Sequence, residues 1–287
     1  METRIEDLSA GYGDTQGIRL LRELANEGHF VFSSTDAGIV ASRIGISATY
    51  FRPLLAQLVR SGWLMRLRQG VYAGMGSLAG DMQIHPFVIA TQIVQPSAIS
   101  HWSAMHHHGF TQQVPQVVTA ITPKKVVTPS MRKSPDSSRR THHAWEIGGV
   151  RYEYINIKPE HYFGIEEIWV DQNFRIPITD RERTLLDMFA SPRLFGGMGE
   201  ALAVLEEQAH EIDVKRLVEY AIRYGKGSVA KRLGWSLEKI GIKEDITAPL
   251  AAIPTSGFRI LDPTRPQIGP CDKRWGIQNN LESEVSL

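Results

Sequence analysis

Apolar residues recur at helical spacing along much of this chain, and where they do not, they alternate or cluster in short runs. Over Asp14–Glu27 the positions Ile18, Leu20, Leu21, Leu24 and Ala25 share one side of a 3.6-residue period, which predicts a helix. A second, short helix is expected over Asp36–Ile44, capped by Ser34 or Thr35 and ended before Gly45. Ser47 opens a third, in which Phe51, Leu54, Leu55 and Leu58 form one stripe and Gly62 follows the C-terminus. "WLMRLRQGVYAG" then places two short strand-like runs around Gln69-Gly70, a hairpin signal. Helix, helix, turn, helix, hairpin is the order of a winged helix-turn-helix.

The glycine-rich stretch 74–84 reads as a linker, so the domains expected are 1–76 and 77–287. Beyond it, Pro86–Val94 and Ser97–His108 suit helices and Val117–Ile121 a strand. Residues 123–141 are polar, Pro/Ser-rich and basic, and read as a long loop. Hairpins are predicted at His143–Ile147 with Val150–Ile157, around Gly148-Gly149, and at Ile165–Val170 with Phe174–Ile178. Helices follow over Asp180–Ala190, Met198–His210, Val214–Tyr224 and Ser228–Ile240, with closing strands at Phe258–Leu261 and Trp275–Gln278. Strands and helices mix without a strict βαβ rhythm. The expected fold class is therefore mixed: an N-terminal winged helix-turn-helix and a larger C-terminal α+β domain.

Charge changes this picture more than composition does. The net charge is only +1, but from Ala37 to Gly80 there are five arginines and no acid. From Lys124 to Arg140 six bases face the single acid Asp136, whereas from Ala144 onward there are 18 bases and 22 acids. Two basic zones thus sit on an acidic body. In the third predicted helix, Thr49, Arg52, Pro53, Ala56 and Arg60 fall opposite the apolar stripe. That face carries hydroxyls, guanidinium groups and small residues but no carboxylate, which suits approach to phosphates.

The DNA-contact candidates are therefore Arg43, Ser47, Thr49, Tyr50, Arg52, Arg60, Arg66 and Arg68. Thr49, Tyr50 and Arg52 are placed to read bases, Arg52 by forking onto guanine, while Arg43, Arg66 and Arg68 suit backbone contacts. Pro53 leaves two registers open. With Ser47 as the cap it lies beyond the first turn and costs a backbone hydrogen bond; with Thr49 as the cap it costs less. The second basic zone, Lys124, Lys125, Arg132, Lys133, Arg139 and Arg140, is either a solvated loop or a partner- or nucleic-acid-binding arm that orders on contact, on the surface of the C-terminal domain.

Catalytic and metal chemistry finds weaker footing. "AISHWSAMHHHGF" packs four histidines into residues 101–108, but helical metal pairs need a spacing of three or four. His101 and His106 are five apart; His101 and His108 share a face yet lie about 10 Å apart along a helix axis. The expected reading is packing, with Ser97 as the cap, Trp102, Ala104 and Met105 inward, and Gly109 as the end. No P-loop, G-x-G-x-x-G or G-x-S-x-G occurs, and Gly76-Ser77 is followed by Asp81 alone and not by an Asp-x-Asp pair. Asp180 and Glu182, flanked by Arg181 and Arg183, read as a helix cap with ion pairs. The alternative reading is a metal-dependent nuclease or phosphoryl-handling enzyme built on His101, His106, Asp180 and Glu182. No metal or cofactor is expected. Cys271 is the sole cysteine, no 18-residue apolar run occurs, and the N-terminus lacks a signal-peptide pattern, so a cytoplasmic location is expected.

Several segments together resemble AbiEi-type antitoxin transcriptional regulators. They are "LAQLVRSGWLMRLRQGVYAG" (55–74), "SAISHWSAMHHHGFTQQVP" (97–115), "EEIWVDQNFRIPITDRERTLLDMFASPRLFGG" (166–197), "RLGWSLE" and "RWGIQNN". The resemblance implies an antitoxin of a toxin–antitoxin operon, linked to abortive phage infection, whose winged helix binds inverted repeats at its own promoter and represses it. It also implies a C-terminal domain that counters a nucleotidyltransferase-type toxin, with or without direct contact. Carried onto this chain, it assigns Thr49, Tyr50, Arg52, Arg66 and Arg68 to DNA, and names the regions His101–His108 and Asp180–Asp187 in the second domain.

Overall fold

The computed structural model describes residues 16–74, 84–126 and 143–281. The chain divides into two compact units, one of residues 1–95 with 169–175 and one of 96–168 with 176–287. The expected boundary at 76/77 lies outside the described residues.

In the first unit, α1 (Gln16–Asn26) is followed by β1 (Val31–Ser33), α2 (Ser34–Arg43), α3 (Ala48–Arg60) and the strands β2 (Leu64–Arg68) and β3 (Val71–Gly74). A further helix, α4, spans Pro86–Ile93. The core is built by the stripes read above: Leu20, Leu21 and Leu24 of α1 meet Val40 of α2, Leu54, Leu55 and Leu58 of α3, and Leu64 of β2. β3 lies between β1 and β2, antiparallel to both. The hairpin turns at Gln69-Gly70, where Gly70 has φ +76, a conformation glycine adopts without steric cost. A register shift between Arg66 and Arg68 marks a bulge, which strengthens local twist.

Two details differ from expectation. The cap of α2 is Ser33, neither Ser34 nor Thr35. Its side chain accepts from the Asp36 N–H, and the Asp36 side chain answers the Ser33 N–H, a capping box. β1 was not anticipated, because three residues are too few to show alternation.

The second unit centres on a mixed six-stranded sheet. Its strands are β4 (Ala98–Ile99), β5 (Val117–Thr122), β6 (His143–Ile147), β7 (Val150–Asn156), β8 (Ile165–Trp169) and β9 (Arg175–Thr179). Their spatial order is β6-β7-β5-β4-β9-β8, with β5/β7 and β4/β9 parallel and β4/β5 and β6/β7 antiparallel. The predicted helix over Ser97–His108 is corrected here. Only α5 (His101–His107) is helical, Ser100 occupies its N-cap position, and Ala98 and Ile99 form a strand inside the sheet. Both are fully buried, and so short an apolar run carries no period to distinguish strand from helix.

Five helices follow: α6 (Arg181–Ala190), α7 (Met198–Gln208), α8 (Val214–Tyr224), α9 (Gly227–Lys239) and α10 (Glu244–Ala251). Their apolar faces enclose a second core around Leu185, Phe189, Phe195, Leu205, Leu233 and Trp275. A small sheet, β10 (Arg259–Ile260), β12 (Ile277–Gln278) and β11 (Cys271–Asp272), closes this unit. Among the described residues no helix is long and apolar enough to cross a membrane.

Candidate nucleic-acid interface

α3 begins after Ser47, so the first of the two registers holds and Pro53 sits inside the helix. Proline offers no N–H to the Thr49 carbonyl, and the loss falls on the exposed side, where water can compensate. Leu54, Leu55 and Leu58 are buried, while Thr49, Tyr50, Arg52, Pro53, Ala56 and Arg60 are exposed, as the helical period requires. Ser47 is also exposed, and its hydroxyl lies 3.2 Å from that of Thr49.

Arg52 does not stand alone. With Arg66 of β2 it lines one groove of about 1000 Å³ between α2, α3 and the hairpin. Thr49, Phe51 and Tyr72 line it as well, as do Ser34, Thr35 and Ser42 of α2 and Gln69 at the hairpin turn. Not one lining residue is Asp or Glu. The groove therefore offers two guanidinium groups, several hydroxyls and an aromatic wall without a competing carboxylate.

The remaining candidates are distributed differently. Arg60 and Arg68 are exposed but do not line the groove. Arg43 is also exposed and pairs at 2.6 Å with Glu27, an acid ten positions before the acid-free stretch begins. The hydroxyls of Ser34, Thr35 and Ser42 and the Gln69 amide were missed. The signal was the polar start "SSTDAG" of α2, which was read only as capping chemistry.

In the second unit the histidine run separates. His101 is buried with its ring stacked on Phe195 at 5.0 Å. His108 places Nε2 2.7 Å from the Thr179 carbonyl, and His106 and His107 are exposed. Burial lowers the His101 imidazole to about 4, with nearby Asp187 opposing the shift and Arg183 adding to it. Burial likewise lowers His108, which is half-buried. Among the described residues no three His, Cys, Asp or Glu side chains are grouped to hold a metal ion.

Two carboxylates at the start of α6 are fully engaged, and the buried Asp187 is bonded through Oδ1 but not Oδ2. Asp180 caps α6 by accepting from the Arg183 N–H at 2.7 Å and takes the Tyr220 hydroxyl at 2.8 Å. Glu182 accepts from the Asp213 N–H at 2.7 Å and from the Arg216 guanidinium. Asp187 pairs with Arg183 at 3.0 Å inside the core. Lys124 and Lys125 are exposed, whereas Arg132, Lys133, Arg139 and Arg140 lie outside the described residues.

The chain is thus a mixed helix-and-strand protein whose first unit carries a basic, carboxylate-free groove. Residues 19–73, from α1 into β3, match the family model described as "Transcriptional regulator, AbiEi antitoxin". The resemblance read from the sequence holds over that segment. No curated protein matches the chain. Among solved structures, that of the RV2827C protein from Mycobacterium tuberculosis is similar with a TM-score of 0.61 at 15% identity, covering 92% of this chain and 91% of that one. At that identity the likeness is one of fold.

Proposed function

We propose that the N-terminal segment, domain 1–76 of the sequence reading, is a winged helix-turn-helix that binds double-stranded DNA. α3 is its recognition helix and β2–β3 its wing. Thr49, Tyr50 and Arg52 face the bases, and Arg66 takes the phosphates across the groove. Arg43, Ser47, Arg60 and Arg68 extend the contact to the flanking backbone. The observation that carries this reading is the convergence of Arg52 and Arg66 on one groove with no carboxylate in its lining. A guanidinium from a helix and another from a hairpin, facing one channel, suit a helix in the major groove with a wing beside it.

On this reading the protein is a cytoplasmic, non-catalytic regulator: the antitoxin and autorepressor of a toxin–antitoxin operon. Two copies occupy inverted repeats at the promoter, and domain 77–287 counters a nucleotidyltransferase-type toxin. The match of residues 19–73 to the antitoxin family supports both roles. The engagement of Asp180 and Glu182 by N–H, hydroxyl and guanidinium donors disfavours the metal-dependent alternative.

The test is fluorescence anisotropy with the chain's own upstream DNA against a scrambled duplex, together with co-expression beside the neighbouring gene. Salt-sensitive, sequence-selective binding and rescue of growth are expected. Equal affinity for both duplexes, or none for either, sinks the reading.

A further inference from the structure

Lys231 of α9 is 6% exposed, a rare state for a lysine without a carboxylate partner. Its Nζ donates to the Ala251 carbonyl at the end of α10, at 2.5 Å, and lies 5.8 Å from the centre of the Trp275 ring. Among the described residues no carboxylate pairs with it. Glu238, on the same helix, is taken by Thr247, Arg274 and Trp275. Burial pulls the Lys231 ammonium below the ordinary lysine range, with no neighbouring charge opposing it.

The helix-end carbonyl gives this cation a structural partner, but it uses one of three N–H donors. The carbonyl and the Trp275 face stabilise the ammonium, but among the described residues no carboxylate offsets its burial. The residue borders open space. It lines a pocket of about 390 Å³ together with Thr255, Gly257, Phe258, Lys273 and Gly276. No lining residue is Asp or Glu. Arg274 also borders the pocket, but Glu238 and Glu244 hold it at 3.0 and 2.8 Å. Lys273 is exposed, and Phe258 leaves 45% of its surface uncovered.

We propose that this pocket binds a phosphorylated small molecule of mononucleotide size, its phosphate between Lys231 and Lys273 and its ring against Phe258. Two ammonium groups and the Thr255 hydroxyl match a phosphate dianion, and the volume lies at the lower end of small-molecule sites. The site lies wholly within the second unit and does not depend on the DNA-binding reading.

The test is calorimetric titration and thermal melting of the full chain with the four common nucleoside monophosphates, with adenosine and with inorganic phosphate. At least one monophosphate binds and raises the melting temperature, inorganic phosphate competes with it, and adenosine does neither. Lys273→Ala weakens the monophosphate by about tenfold, as loss of a charge-assisted contact requires. Lys231→Met abolishes binding and leaves the ligand-free protein at least as stable. If Lys231→Met fails to fold, Lys273→Ala decides alone. Absence of binding by every phosphate compound, or undiminished binding by Lys273→Ala, overturns the proposal.

Discussion

His101 has a φ of +53, the one non-glycine residue with positive φ among those described. Histidine, asparagine and aspartate tolerate this left-handed region better than most residues. The conformation lets the chain turn from β4 into α5 while the ring lies flat on Phe195 and Nδ1 sits 3.0 Å from the Ser100 hydroxyl. The unfolded imidazole titrates near 6.5 and the folded one near 4. Between those values the unfolded chain takes up a proton that the folded chain refuses. Stability contributed by neutral His101 is complete above pH 6.5 and falls as pH drops towards 4, by up to roughly 3 kcal/mol. His101→Asn keeps a residue suited to positive φ and removes the titration. Urea denaturation at pH 7 and pH 5 should show a smaller pH penalty for this variant, and an unchanged penalty would assign the effect elsewhere. Arg52→Ala should cost about 1–3 kcal/mol in binding the cognate duplex and less on a scrambled one, if the guanidinium reads guanine. An equal loss on both duplexes would reassign Arg52 to phosphate. The sequence pointed to packing for the histidines as a group, but the backbone turn at His101 left no trace in it, since φ is set by the chain reversal between β4 and α5.

At the scale of elements, α2 is held by reciprocal capping between Ser33 and Asp36. Ser33→Ala should lower the stability of the first unit by about 1 kcal/mol, seen as an earlier thermal transition. It should also weaken DNA binding, because Ser34 and Thr35 of the same helix start line the groove. In the second unit α9 packs against Trp275 through Gly234. A Cβ there would meet the Trp275 Cζ3 at 2.1 Å, far inside van der Waals contact. Gly234→Ala should therefore destabilise by about 3 kcal/mol or more and displace the indole that borders the Lys231 pocket. A melting temperature equal to that of the wild type would contradict this. The periodic helices α1, α3, α8 and α9 and the β6–β7 hairpin were legible with small errors at their ends. β4 was absorbed into a helix because two buried residues carry no period. α10 was overlooked because it is eight residues long and holds Pro249.

For the whole molecule, the distribution of charge matters and its sum does not. A net charge of +1 predicts no partner, yet five arginines lie in a stretch without acid. If all five meet phosphates, the logarithm of the affinity should fall with the logarithm of salt at a slope of about −4 to −5. Arg43 tests the count. Its exposed pair with Glu27 is worth about 1 kcal/mol or less, so DNA can displace it, and Glu27→Ala should tighten binding at low salt. A slope of about −1 would leave a single phosphate contact, that of Arg66, with Arg52 on a base.

Local pattern alone determined where most helices and hairpins run, which side of α3 is apolar and which is acid-free. Period and charge are properties of neighbouring residues and need no knowledge of the fold. The tertiary structure decided which charges act together. Arg52 and Arg66 are 14 positions apart and share a groove only because the hairpin folds back beside α3. Lys231, Phe258 and Lys273 come from three separate stretches whose meeting depends on how α9, α10 and the closing sheet pack. Packing against distant segments sets such encounters, and no single window of the chain records it.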